Sequence, residues 1–225
     1  MMYGVWIDDK NTLTEWGLCL LADVTIGSPE PRTSYVTVPE ADGDLDLTGA
    51  LTGGVVRYGM REISFELFPA HDVIAGKPFP ASEEHAALIR QSLAKQIHGK
   101  KCKLWLPDDG GHYFYGRMAV GEKGGYNNTT IPVTMTAEPW RYKTTETVRT
   151  ITASGNYILP NEMRRAQLTF TATDAVATVT FNGTSHQLVP GNQTFDDVIL
   201  VEGPNAISFS GIVQPVTIKY QEGVI

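Results

Sequence analysis

Asp42, Asp44 and Asp46 stand at alternate positions, the spacing at which a calcium loop sets its first carboxylates. The EF-hand pattern then requires Gly where Leu47 stands and Glu where Gly53 stands, so the loop fails it and reads as solvated turn carboxylates. His71, His85, His98, His112 and His186 never fall at ligand spacing with one another or with a Cys, which argues against zinc. No Ser lies in a Gly-x-Ser-x-Gly setting, and no Gly-rich phosphate loop is present. Glycoside hydrolysis needs two carboxylates held across a groove; many Asp/Glu pairs exist here and none is singled out. The expectation is a chain with no catalytic residue, no metal and no cofactor.

The one basic cluster is Lys95, His98, Lys100, Lys101 and Lys103. Reading DNA would need aromatic or polar readers interleaved with it, and only Trp105 is near; charge at the end of a helix explains the cluster more simply. Net charge is −7 with a pI near 5.2, so no specific nucleic-acid binding and no pull toward anionic lipid are expected. No stretch approaches the roughly 18 uninterrupted apolar residues of a membrane span, and the start MMYGVWIDDK lacks the pattern of a secretory signal. Cys19 and Cys102 each sit in an apolar run and read as two buried thiols made in a reducing cytoplasm.

The elements that must carry these residues are mainly β. The 22 Gly and 13 Pro, with abundant Thr and Val, point to strands joined by turns. Tyr3, Val5 and Ile7 alternate with Gly4, Trp6 and Asp8 as a first strand, and Asp8–Asn11 is a turn. Gly17–Ile26 reads as one buried strand, broken by Ser28-Pro29-Glu30-Pro31, after which Thr33–Val38 alternates again. Pro39–Gly54, rich in Asp and Gly, reads as a shaped loop with no regular element. From Glu62 the apolar residues Ile63, Phe65 and Leu67 alternate with polar ones, the mark of a strand with one buried face. One helix is expected after the Gly76–Pro80 linker, with Ser82 as N-cap, Ala86, Ile89, Leu93 and Ile97 as its apolar stripe and Gly99 as its stop. A hairpin follows, Lys103–Leu106 with Tyr113–Tyr115, and then an alternating strand (Ile131, Val133, Met135) that stops at Glu138-Pro139-Trp140.

All four Trp lie at or before Trp140; beyond it the chain is rich in Thr, Val and Asn with evenly placed turns. Short strands at Gln167–Thr171, Ala177–Phe181, Val198–Val201, Ala206–Phe209 and Val216–Tyr220 argue for a β-sandwich. The domain boundary is expected near Tyr142–Thr145, giving a first domain over 1–143 and a second over 144–225. Asn182 and Asn192, like Asn127 and Asn128, match the glycosylation pattern and read as turn-forming residues.

Several segments in order resemble the distal tail proteins of long-tailed (siphovirus-type) phages, especially those of Gram-positive hosts. They are Tyr3-Gly4-Val5-Trp6, Trp16-Gly17-Leu18, Pro39 through Asp46-Leu47-Thr48, Tyr58 through Phe65, the helix with Gly99, the Trp105–Tyr115 hairpin with Gly116-Arg117, and Glu138–Tyr142. In the second half Gly155, Asn182-Gly183, Gly203–Ile207 and the Val216–Tyr220 strand fall where a galectin-like sandwich has them. One departure stands out: many relatives carry Gly where this chain has Glu40-Ala41. The resemblance implies a mainly β fold, an N-terminal ring-forming domain with one helix and a hairpin followed by a galectin-like sandwich. It implies a structural virion protein at the phage tail tip, assembled in the host cytoplasm. Copies would form a homo-oligomeric ring, a hexamer, that leaves a channel for DNA. The hub would join the tail tube protein, the tape measure protein, the tail-tip protein and receptor-binding proteins. Asp42, Asp44, Asp46 and Arg61 are the residues expected at the ring interface. A sugar-binding role for the sandwich is the alternative, weakened because no Trp follows Trp140 and His186 stands alone.

Overall fold

The computed structural model describes residues 3–40, 42–50, 52, 54–69, 83–122, 130–174 and 176–225. The expected Gly76–Pro80 linker, the Ser82 cap, Gly53, His71, Asn127 and Asn128 lie outside the described residues. The chain divides into two compact units, Met1–Pro139 and Trp140–Ile225.

In the first unit the elements run β1 (Trp6–Ile7), β2 (Lys10–Asn11), α1 (Thr12–Trp16), β3 (Leu18–Leu20), β4 (Thr25–Ile26), β5 (Pro31–Arg32), β6 (Tyr35–Thr37), β7 (Asp44–Asp46), β8 (Arg57–Tyr58), β9 (Arg61–Pro69), α2 (Glu83–Ile97), β10 (Lys101–Trp105), β11 (His112–Val120) and β12 (Ile131–Lys143). The main sheet is ordered β2-β1-β10-β11-β12-β9-β3, with β4 also on β9. Its registers are antiparallel, for example Ile131↔Leu67 through Ala137↔Arg61. Ile63, Phe65 and Leu67 of β9 and Ile131, Val133 and Met135 of β12 are all buried, so the period of two read in the sequence is the inner face of this sheet. Helix α2 contributes Leu93 and Ile97 to the same core, with Ile89 packed against it. Cys19 and Cys102 are buried free thiols.

Four expectations need correction. A second helix is present: Asn11 caps α1 by accepting from the Leu13 N–H (2.9 Å), and Gly17 closes it at φ 65°. Buried Thr12 at the start of the helix then joins the flanking chain, accepting from Val5 N just before β1 and donating to the Leu18 carbonyl of β3. The Gly17–Ile26 run is two short strands rather than one; Leu18 and Cys19 are buried while Leu21 and Ile26 are exposed. Pro39–Gly54 does contain regular structure, since β7 pairs with β6 (Tyr35↔Asp46, Val36↔Leu45, Thr37↔Asp44). Finally, β12 passes through Pro139 to Lys143. Its pairing with β9 ends at Ala137, so on that side the missing Pro139 N–H is not needed.

The second unit adds β13 (Thr147–Ile151), β14 (Gly155–Asn161), β15 (Ala166–Ala172), β16 (Thr178–Phe181), β17 (Thr184–Gln187), β18 (Gly191–Leu200), β19 (Gly203–Ser210), β20 (Val216–Tyr220) and β21 (Gly223–Val224). Two four-stranded sheets, β13-β20-β15-β18 and β14-β19-β16-β17, enclose one core that includes Phe170, Phe181, Phe209 and Ile218. The Asn182-Gly183 turn joins β16 to β17 with both residues at positive φ (48° and 84°), the geometry of a tight hairpin. A bulge interrupts β15–β18 between Gln167 and Thr169, and Pro160 of β14 faces Pro204 of β19. At the unit's C-terminus β21 pairs with Arg141 and Tyr142. Buried Glu222 accepts from Lys143 Nζ and from Thr147 Oγ1 (3.0 Å), while Lys143 also meets Glu162 at 2.9 Å.

Candidate functional site

The acidic segment predicted from sequence is a free-standing two-stranded ribbon. In an antiparallel pair, residues directly opposite share a face, so Tyr35 with Asp46 and Thr37 with Asp44 form one side. Val36 with Leu45, flanked by Val38 and Leu47, forms the other. The Thr37 hydroxyl donates to Asp44 Oδ1 at 2.9 Å, which confirms the first side. Every residue of β6 and β7 is exposed. Val36, Val38, Leu45 and Leu47 remain 45%, 40%, 53% and 38% exposed, so the apolar side of the ribbon is open to water. That uncovered side was missed because the Asp and Gly content of the segment masked the alternation of Leu45 and Leu47.

Within the ribbon the carboxylates are set by short-range hydrogen bonds. Asp46 Oδ1 accepts from Thr48 N at 2.8 Å, and hydrogen bonds from the Thr48 side chain and backbone hold its carboxyl below the usual range. Thr48 Oγ1 in turn accepts from Ser34 N at 3.0 Å, closing the ribbon's base. Asp42 is exposed in the connection between the strands. In that connection Glu40 holds φ 64°, a region that costs a non-glycine residue roughly 1 kcal/mol. It is the position where the resemblance led one to expect Gly.

Arg61 does not belong to the ribbon. It opens β9, is only 5% exposed, donates to the Pro139 carbonyl and lies 5.5 Å from the Phe114 ring centroid. Its geometry is that of a pin between strands.

The basic cluster of the sequence is divided by the fold. Lys95 and His98 stand at the end of α2 and Lys100 in the turn after it. Lys101 and Lys103, by contrast, point outward from β10, alternating with buried Cys102 and Leu104. Cross-strand pairing adds Arg117 opposite Lys101 and Tyr115 opposite Lys103. Lys103 Nζ lies 4.7 Å from the Tyr113 ring centroid and Lys101 Nζ 5.4 Å from that of Tyr115. Trp105, 5.2 Å from Tyr113, is in register with half-exposed Trp6. The outer face of β10 and β11 is therefore a cationic band beside an aromatic row, with Glu138 3.6 Å from Lys101 and the Asp8 carboxylate accepting from Lys103 N at 2.8 Å. Arg117 was invisible as a member from sequence because it lies 14 residues beyond Lys103 and joins only through the register.

Among the described residues no group of three or more His, Cys, Asp or Glu side chains forms a metal site, and no helix is long and apolar enough to cross a membrane.

The two-unit fold is similar to that of the SPP1 Dit (gp 19.1) protein, described as a paradigm of the hub adsorption apparatus in phages infecting Gram-positive bacteria. The TM-score is 0.62 over 99% of each chain, at 13% sequence identity. At that identity the likeness shows the fold. No family model matches the chain. No curated protein matches it by sequence.

Proposed function

We propose that this chain is a structural subunit of a phage tail tip, a distal tail hub protein that catalyses no reaction. The observation that carries the reading is the fold likeness to Dit, which extends along both units rather than one. Copies join through the first unit into a ring, a hexamer, at the end of the tail tube. The ring leaves a channel for DNA and gives the tape measure, tail-tip and receptor-binding proteins a common platform. The second unit is a galectin-like sandwich. Exposed apolar side chains clustered on one surface mark sites of protein association. The open side of the β6–β7 ribbon therefore supports a surface covered by a neighbouring copy. Asp42, Asp44 and Asp46 lie on or beside that ribbon, and Arg61 contributes by fixing the strand that follows it. Size-exclusion chromatography with light scattering, followed by negative-stain electron microscopy, tests the proposal. Rings of uniform size are expected, and a strict monomer at high concentration overturns it.

A further inference from the structure

The β6–β7 ribbon has a second side that the apolar contact does not use. It carries Asp44 and Asp46 with Tyr35 (58% exposed) between flanking polar groups. Elsewhere on the same unit, the outer face of β10 and β11 presents Lys101, Lys103 and Arg117 with the Trp6–Trp105 row beside them. The two surfaces match in three respects. Each is a short two-strand width of sheet; one is acidic and the other basic; and each sets aromatic surface next to its charges, Tyr35 on the ribbon and Trp6, Trp105 and Tyr115 on the band. Both are solvent-facing in the single chain, so neither set of charges has been spent on a buried contact.

We propose that the carboxylate side of the ribbon docks on the Lys101–Lys103–Arg117 face of the next copy. This deepens the ring-subunit reading and rests on it. The contact is heterologous, one patch of each copy against a different patch of its neighbour, which is the kind of contact that generates closed rings. Charge pairing across it fixes the direction of assembly, and complementary charges suppress docking of like on like. Lys101 is shared with Glu138, Asp8 accepts from Lys103 N and Arg117 donates to the Gly99 carbonyl, so the attraction is spread over the band rather than carried by one cation.

Charge reversal tests the pairing. One variant carries Asp42→Lys, Asp44→Lys and Asp46→Lys; the other carries Lys101→Glu and Lys103→Glu. Each alone is expected to weaken self-association on the order of 100-fold, because several exposed pairs turn from attraction to repulsion. Mixed in equal amounts, the two are expected to assemble again, since each junction in an alternating ring then joins opposite charges. Such a ring has an even number of members. The neutralising pairs Asp44→Asn with Asp46→Asn, and Lys101→Gln with Lys103→Gln, preserve shape and hydrogen-bonding capacity. Each is expected to flatten the salt dependence of assembly. Wild-type-like assembly of both reversal variants, failure of the mixture to recover, or an unchanged salt slope in the neutral pairs overturns the docking. A wild-type chain that stays monomeric at every salt concentration overturns the ring reading itself, and the two failures are distinct.

Discussion

Replacing Val36 and Leu45 with Ser separates assembly from folding. The two face each other across β6–β7 and are 45% and 53% exposed in the single chain. Burying a whole Val or Leu side chain is worth about 1.5–3 kcal/mol, so covering the exposed half of each contributes roughly 0.8–1.5 kcal/mol. Removing both side chains should cost about 1.5–3 kcal/mol per contact, a rise of roughly 10- to 150-fold in Kd. The folded chain should barely notice, because neither residue belongs to a core; a lost cross-strand pair of this kind costs below about 1 kcal/mol. Sedimentation velocity across a concentration series reads the association, and thermal unfolding read by circular dichroism checks the fold. The expected outcome is a shift from rings toward monomer with a melting temperature within a few degrees of wild type. Unaltered rings, or a collapse of the melting temperature alongside dissociation, would refute the reasoning.

Other outcomes follow from buried features. Gly116→Ala places a Cβ onto the Thr136 carbonyl oxygen and 2.5 Å from Ala137 Cα, so β11 and β12 must part; a loss of about 1–3 kcal/mol in chemical denaturation is expected. Glu222→Ala leaves Lys143 with Glu162 alone and takes the acceptor from half-buried Thr147 Oγ1; it should cost about 1 kcal/mol, seen as a lower melting temperature. The Lys143 ammonium is held above its ordinary pKa chiefly by Glu222 and then Glu162. Its contribution is therefore complete below the unfolded-state pKa and disappears as pH rises through the raised folded value. Lys143→Met should remove that alkaline loss from a pH-stability profile. Burial, with Asp8 nearby, pushes the Cys102 thiol up to about 11, and burial raises Cys19 too; both should react with a thiol reagent at neutral pH only after unfolding.

What the sequence disclosed depended on how long each pattern ran. Nine residues of β9 and four turns of α2 repeat their periods often enough to be unmistakable. Helix α1 has five residues, too few for any periodicity, and its only signals were the Asn11 and Gly17 caps. β7 was hidden because Asp is a poor strand former, and its pairing comes from β6 rather than from its own composition. Strand β12 ran past Pro139 because what permits a proline there is the end of pairing with β9, a tertiary fact. For the candidate site, the three aspartates were legible as a group. The role of Arg61 was not, since a charge in a strand reads alike whether it faces water or pins a neighbour's carbonyl. Nor was the band on β10 and β11, which exists only once two strands lie side by side.

The sandwich of the second unit has one more consequence. Its outermost strands include β14, where Pro160 lacks the N–H another chain would need, and β18, whose register on β15 jumps from Ile199 to Thr194 and so spoils a straight template. Sheets with blunted borders resist recruiting stray chains. Under the proposed ring reading, the borders of this sandwich give a neighbouring copy no straight strand edge to extend, which leaves association to side-chain surfaces.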